Sequence, residues 1–151
     1  MKKFLYVLKE IILYIWQLPQ NLLGLIFLLF YKKEAAFYKK NGRTFYGTPE
    51  MPSGITLGNY IIINAWYAKQ PEDNEYRDRI MRHEYGHSID SRIWGPLYLI
   101  VIGLPSIMGN LWNRWFHKDW TPTQKSKWYY NLPWERSAER KGGVVRVFKD
   151  E

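Results

Sequence analysis

Twice in this sequence a run of 21 residues carries no charge, at 11–31 and again at 93–113, and proline interrupts both runs near the middle. As unbroken helix each would reach about 30 Å, enough to cross a bilayer. Composition argues against straight spans. In the first run Gln17, Pro19, Gln20 and Asn21 cluster at the centre. Proline removes a ladder hydrogen bond, and side-chain amides are costly in hydrocarbon. In the second, Gly103-Leu104-Pro105-Ser106 lies at the centre, and Pro105 biases Leu104 away from helical angles. For the first run three arrangements stay open: a span, a helical hairpin dipping into one leaflet with its turn at Leu18-Pro19-Gln20-Asn21, and a pair of core helices. The second is expected to turn at 103–106. No small-residue cleavage site follows the first run, so a cleaved signal peptide is not expected.

Between the runs the pattern changes. Asn41-Gly42 is a turn signal. Residues 43–46 and 55–63 are rich in β-branched and aromatic side chains, with Gly47, Pro49, Pro52 and Gly54 punctuating the gap. Two short antiparallel strands are expected there. Residues 71–94 read as one long helix stopped by Gly95-Pro96. In it Met81, Tyr85, Ile89 and Ile93 form an i, i+4 apolar row. That row should pack, and the opposite face should present His83 and His87. Further on, Thr121-Pro122-Thr123-Gln124 has the form of a capping box with proline at the first helical position. Residues 133–141 read as a short helix ended by Gly142, and 144–148 as a last strand or a tail. The fold class is α+β, mainly helical, in a chain of 151 residues that fits one core.

The chain holds three histidines, His83, His87 and His117, and no cysteine. A zinc site must then draw on His, Asp or Glu. In His83-Glu84-Tyr85-Gly86-His87 two imidazoles stand four apart on the expected helix, so both can reach one ion. Glu84 lies about 100° round from His83, placed to reach a metal-bound water without itself being a ligand. Two ligands and a nearby carboxylate base are what a zinc hydrolase needs. Gly86 within the motif costs a helix about 1 kcal/mol relative to Ala, and it allows another backbone or a substrate to come close. A catalytic zinc takes a third protein ligand. His117 and Glu135 are the candidates, and Glu139 lies one helical turn beyond Glu135. One of the two glutamates can bind the ion while the other accepts the free ring N–H of a ligand histidine.

At these residues the chain resembles the gluzincin metallopeptidases, in which an HExxH helix is followed by a second helix bearing Glu and, four positions on, an acidic residue. His83-Glu84-Tyr85-Gly86-His87 matches the first motif and Glu135-Arg136-Ser137-Ala138-Glu139 the second. Most of the chain is similar to a small bacterial membrane-associated zincin-like family. The similarity lies in Leu57-Gly58, the HEYGH helix, Gly95-Pro96-Leu97-Tyr98-Leu99, Gly103-Leu104-Pro105-Ser106 and the Glu135 helix. It departs in having Glu139 where Asp is usual. The resemblance implies one zinc ion held by His83, His87 and Glu135, with Glu84 as general base and Glu139 behind a ligand. It also implies a minimal zincin-like core at 41–151, following a hydrophobic membrane-associating helical segment at 1–40.

The net charge of +8 favours anionic partners, and 8 Trp and 12 Tyr are residues that collect at membrane interfaces. No nucleic-acid-binding motif is present, so the expected partners are membrane lipid and a peptide or protein substrate. Lys2, Lys3 and Lys9 precede the first uncharged run; Lys32, Lys33, Lys39, Lys40 and Arg43 follow it. The heavier basic side usually stays cytoplasmic, which places the zinc domain at the cytoplasmic face. The leading expectation is a membrane-associated zinc peptidase. The alternative is a non-catalytic membrane-bound zinc domain that binds a peptide or protein partner.

Overall fold

A computed structural model describes residues 2–30 and 36–148. Two helices, α1 (Lys2–Trp16) and α2 (Leu18–Phe30), lead into strands β1 (Ala36–Lys40), β2 (Arg43–Thr48), β3 (Gly54–Leu57) and β4 (Tyr60–Asn64). A single turn, α3 (Ala65–Ala68), precedes the long helix α4 (Glu75–Trp94). After a 3-10 turn at Gly95–Leu97 and a π-helical segment at Leu99–Gly103 come α5 (Leu104–Phe116), α6 (Pro122–Tyr130) and α7 (Pro133–Gly142). The fold is α+β and mainly helical, with one four-stranded sheet.

The sheet is ordered β1-β2-β4-β3. Asn41 and Gly42, both at positive φ, close the β1–β2 hairpin, the backbone of a type I′ turn. Two expectations are corrected here. Residues 55–63 are not one strand, because Gly58 (φ 65°) and Asn59 fold them into the β3–β4 hairpin. As a result β4 pairs with β2 in parallel, and only β3 and β1 run antiparallel to their neighbours. Strand β1 also lies inside the 1–40 segment expected to be helical, because Ala36 to Lys40 pair with β2. The core between sheet and helix is Phe45, Ile61, Ile63 and Ile80, with Phe37, Tyr67, Met81 and Tyr85 packed against it.

Helix α4 starts four residues later than expected, where the Asn74 side chain accepts from the N–H groups of Tyr76 and Arg77. Its apolar row is only partly packed: Met81 and Tyr85 meet the core, while Ile93 is exposed. The histidine face is not left open but buried, with His83, Glu84, Gly86, His87, Ser88, Asp90 and Ser91 all enclosed. Helix α7 covers it. A Cβ on Gly86 would sit 1.9 Å from the Ala138 carbonyl oxygen, and one on Gly142 would sit 2.0 Å from that of Arg82. Two glycines thus let two backbones touch. Buried Asp90 accepts from Ser137 and pairs with Lys141, tying the same helices together.

The two uncharged runs bend differently from expectation. α1 and α2 meet at Gln17 with an 83° bend, an elbow rather than a hairpin. Pro19 falls in the first turn of α2, where a missing N–H costs nothing. The amides are the buried anchors of the elbow. Gln20 donates to Ser91 Oγ and the Gly95 carbonyl, Asn21 accepts from the Asn59 N–H, and Gln17 reaches Asn59. The second run does not turn at 103–106. Tyr98, Gly103 and Leu104 keep right-handed helical angles, so the helix continues through the π segment into α5. A π segment widens the ladder just ahead of Pro105, which has no N–H to contribute. The reversal comes later: Asn113 bonds the Lys125 carbonyl and Ser106 meets Tyr129, so α5 and α6 form the antiparallel pair. Among the described residues no single helix is long and apolar enough to cross a membrane; α1 with α2 passes that test only as a bent pair.

Thr121 and Gln124 form the capping box of α6 as expected. Gly142 remains helical, and Gly143, in the left-handed region, caps α7. Residues 144–148 form no strand. Arg43, expected near a membrane surface, is buried and donates to Ser88 Oγ. Lys32 and Lys33 lie outside the described residues.

Candidate metal centre

The α4–α7 crossing decides the site. His83 and His87 project from one face of α4, and Glu135 comes down on them from the first turn of α7. Glu135 Oε2 lies 3.2 Å from His83 Nε2 and 3.3 Å from His87 Nε2. Taking one ligand atom from each residue, all three atoms lie within 4.8 Å of one another, and all three residues are buried. One turn further along α7, Glu139 Oε1 is 2.8 Å from His83 Nδ1. Arg146, from the segment after α7, holds Glu139 in turn at 2.7 Å. Glu84 is buried beside the histidines and takes no part in the cluster. Thr56 Oγ1 lies 2.7 Å from its Oε2 and 2.9 Å from its main-chain carbonyl oxygen. A Cβ on Gly54 would lie 2.6 Å from Glu84 Oε1, so strand β3 passes directly over this carboxylate.

Electrostatics bind the cluster as a unit. Burial alone would keep the His83 imidazole neutral, but hydrogen bonds to Glu135 and Glu139 overcome it and raise His83 to about 9. Burial opposes ionisation of Glu135 as well, yet the two histidines hold it well below the usual carboxylate range. Glu139 is also lowered, against burial, by His83 and Arg146. Tyr130 packs edge-on to His83 with ring centroids 5.3 Å apart, and the Arg146 guanidinium lies 3.4 Å from the Tyr130 ring centre. Burial pushes the Tyr130 phenol up to about 12. It raises the Tyr129 phenol further still.

These residues fit a divalent zinc ion. Two imidazoles and one carboxylate are a donor set such an ion takes. Among the described residues Glu135 Oε1 and His87 Nδ1 are buried with no hydrogen-bond partner; a buried unpaired carboxylate oxygen is costly unless a cation meets it. His117, the other sequence candidate for third ligand, is elsewhere. Its ring stacks on Trp120 at 3.6 Å and its Nδ1 faces Asn113. Sequence reasoning missed three residues of the site. Thr56 and Gly54 sit in a strand whose pattern shows only that it is a strand, and Arg146 sits in a segment that reads as a last strand or a tail. Only tertiary contact reveals them.

The site forms the floor of a cleft of about 570 Å³. One wall is β3 with Leu23 of α2, and the other is the helix running into α5, with α6. β3 is an outer strand of the sheet, and among the described residues it pairs with β4 alone. On its outer edge the Thr56 carbonyl accepts from the Tyr98 hydroxyl at 3.2 Å, so any added chain would have to pair at the Gly54 end. No family model, curated protein or solved structure matches this chain.

Proposed function

We propose that the protein is a membrane-associated zinc peptidase with a gluzincin-like arrangement on a minimal zincin-like core. The observation that carries this reading is the carboxylate of Glu84. It is buried beside the three-residue cluster, held by Thr56, and bears no ligand role there. His83, His87 and Glu135 would hold one zinc ion, and Glu139 would orient His83 through its Nδ1–H. When bound, zinc lowers the pKa of water and polarises a carbonyl oxygen. The chain's own groups do the rest. An extended peptide pairs with the outer edge of β3 at Gly54, where the strand passes over Glu84, the Thr56 carbonyl being taken by Tyr98; this sets its backbone across the site. Glu84 takes a proton from the attacking water and passes it to the leaving amine. Thr56 keeps that carboxylate aimed.

Membrane attachment rests on the apolar surface. Phe4, Ile12, Ile15, Leu22, Leu29 and Phe30 on α1 and α2 are exposed, as are Trp112, Trp115 and Phe116 on α5. Exposed apolar area on this scale marks a membrane or protein contact, and the basic balance of the chain suits anionic lipid. By the same charge rule the zinc domain would sit at the cytoplasmic face.

Two measurements test the function. Elemental analysis of protein purified without added metal should give close to one zinc per chain. Glu84→Gln should keep that zinc and abolish peptide hydrolysis. Absence of zinc, with no uptake on titration, refutes the metal centre. Zinc without hydrolysis in the unsubstituted protein leaves a non-catalytic binding domain.

A further inference from the structure

We propose that the cleft takes a polypeptide at the boundary between an apolar and a polar stretch, with the apolar stretch entering from the surface that meets the membrane. This rests on the peptidase reading of the same site. The level of the metal cluster along the cleft is marked by Tyr130, packed on His83, and by its neighbour Tyr129, whose hydroxyl is 2.9 Å from Ser106 Oγ. The wall divides on either side of Ser106. Towards the N-terminus of the continuous helix the cleft is lined by Leu99 and Leu104, faced by Leu57 and Leu23. Towards its C-terminus polar side chains enter the lining, with Asn110, Asn113, Lys125 and Ser126 interspersed with Ile107 and Leu111, whereas none but Tyr98 lines the helix on the other side. From Leu104 to Asn113 is about 13 Å along a helix, the length of about four residues of extended peptide.

The apolar end is also the open end. Leu23 and Leu104 line the cleft, yet they are 44% and 55% exposed and continue into the apolar surface of α2 and of the helix before α5. A lining side chain that is at once part of an exposed apolar surface offers a bound chain no change of solvent between the two. A peptide in the cleft would therefore keep its apolar residues against Leu23, Leu57 and Leu104. Its polar residues would lie beside Asn113 and Lys125, with the bond between them over Glu84. One leucine fully buried is worth about tenfold in affinity, and several leucines in a half-open groove are worth at least that.

The experiment uses full-length, zinc-loaded Glu84→Gln protein in detergent micelles and two fluorescent peptides of equal length and charge. One has a leucine tract followed by a polar tract; the other has serines in place of the leucines. Fluorescence anisotropy should show the leucine peptide binding about tenfold tighter. Leu104→Glu, and independently Leu23→Glu on the facing wall, should each cut that ratio to about twofold or less. Micelle partitioning is shared by all three proteins and cancels in the comparison. Equal binding of both peptides overturns the proposal, and so does a preference that both variants leave unchanged. Turnover by the unsubstituted protein is read separately: preferential binding without hydrolysis overturns the peptidase reading and leaves the apolar preference as that of a binding site.

Discussion

His83 carries the sharpest consequence of the site's electrostatics. Without metal its imidazole is protonated well past neutrality, being raised from 6.5 to about 9 by Glu135 and Glu139 against the opposing effect of burial. A group whose folded pKa is raised contributes stability that is fully present below its unfolded value and lost as pH rises through the folded one. Glu135 runs the other way: its depressed carboxyl contributes stability that is lost as pH falls below about 4.5. The metal-free protein should therefore be most stable at about pH 5 to 6.5 and lose on the order of 3 kcal/mol between pH 6.5 and 9. Zinc requires neutral imidazole, so the zinc-loaded protein lacks this loss. Thermal denaturation of both forms at pH 6 and pH 9 checks it: the gap between their melting temperatures should widen at pH 9. Parallel behaviour would show that His83 is not paired as the cluster has it.

At the scale of elements, the crossing of α4 and α7 does what no single residue can. Glu135 and Glu139 ride on α7, and their distance from the histidines is set by how closely the two backbones approach. Gly86→Ala would place a methyl group 1.9 Å from the Ala138 carbonyl oxygen, a backbone atom with no side-chain freedom to move. The expected outcome is a loss of about 1–3 kcal/mol, accompanied by at least a tenfold weaker hold on zinc as α7 lifts. Gly103→Ala is the comparison. A Cβ there meets nothing closer than 3.7 Å, and alanine favours the helix by up to about 1 kcal/mol. Denaturation and zinc titration of the two variants should separate cleanly. Equal zinc affinity in both would mean that the helix crossing does not set the metal site.

At the scale of the molecule, the apolar elbow of α1 and α2 is anchored from inside by amides and left greasy on the outside. Gln20 and Asn21 tie it to the end of α4 and to the β3–β4 turn, and Glu10 meets Arg92 at 2.5 Å. With the polar groups directed inward, Ile12 and Ile15 face out, 57% and 63% exposed. The protein should sediment with anionic lipid vesicles, and Ile12→Glu with Ile15→Glu should weaken that binding at least tenfold while leaving zinc content unchanged. Full-length protein that stays in the supernatant in low-salt buffer without detergent would refute attachment.

Local chemistry was legible in the sequence. The i, i+4 histidines and the carboxylate between them depend only on helical period, and the caps at Thr121 and the Asn41-Gly42 turn depend only on a few neighbouring residues. The α+β, mainly helical class follows from the same short-range patterns. What the sequence alone left open was whatever depends on contacts distant along the chain. Residue type left Glu135 and His117 both open and only the resemblance favoured Glu135; the packing of α7 brings Glu135 to the histidines while His117 stacks on Trp120. The burial of the histidine face, the parallel pairing of β2 with β4 and the reversal after α5 instead of at Pro105 are likewise tertiary decisions. A proline or an apolar row states a local preference worth about 1–3 kcal/mol, which a helix crossing or a sheet register built from many contacts can override.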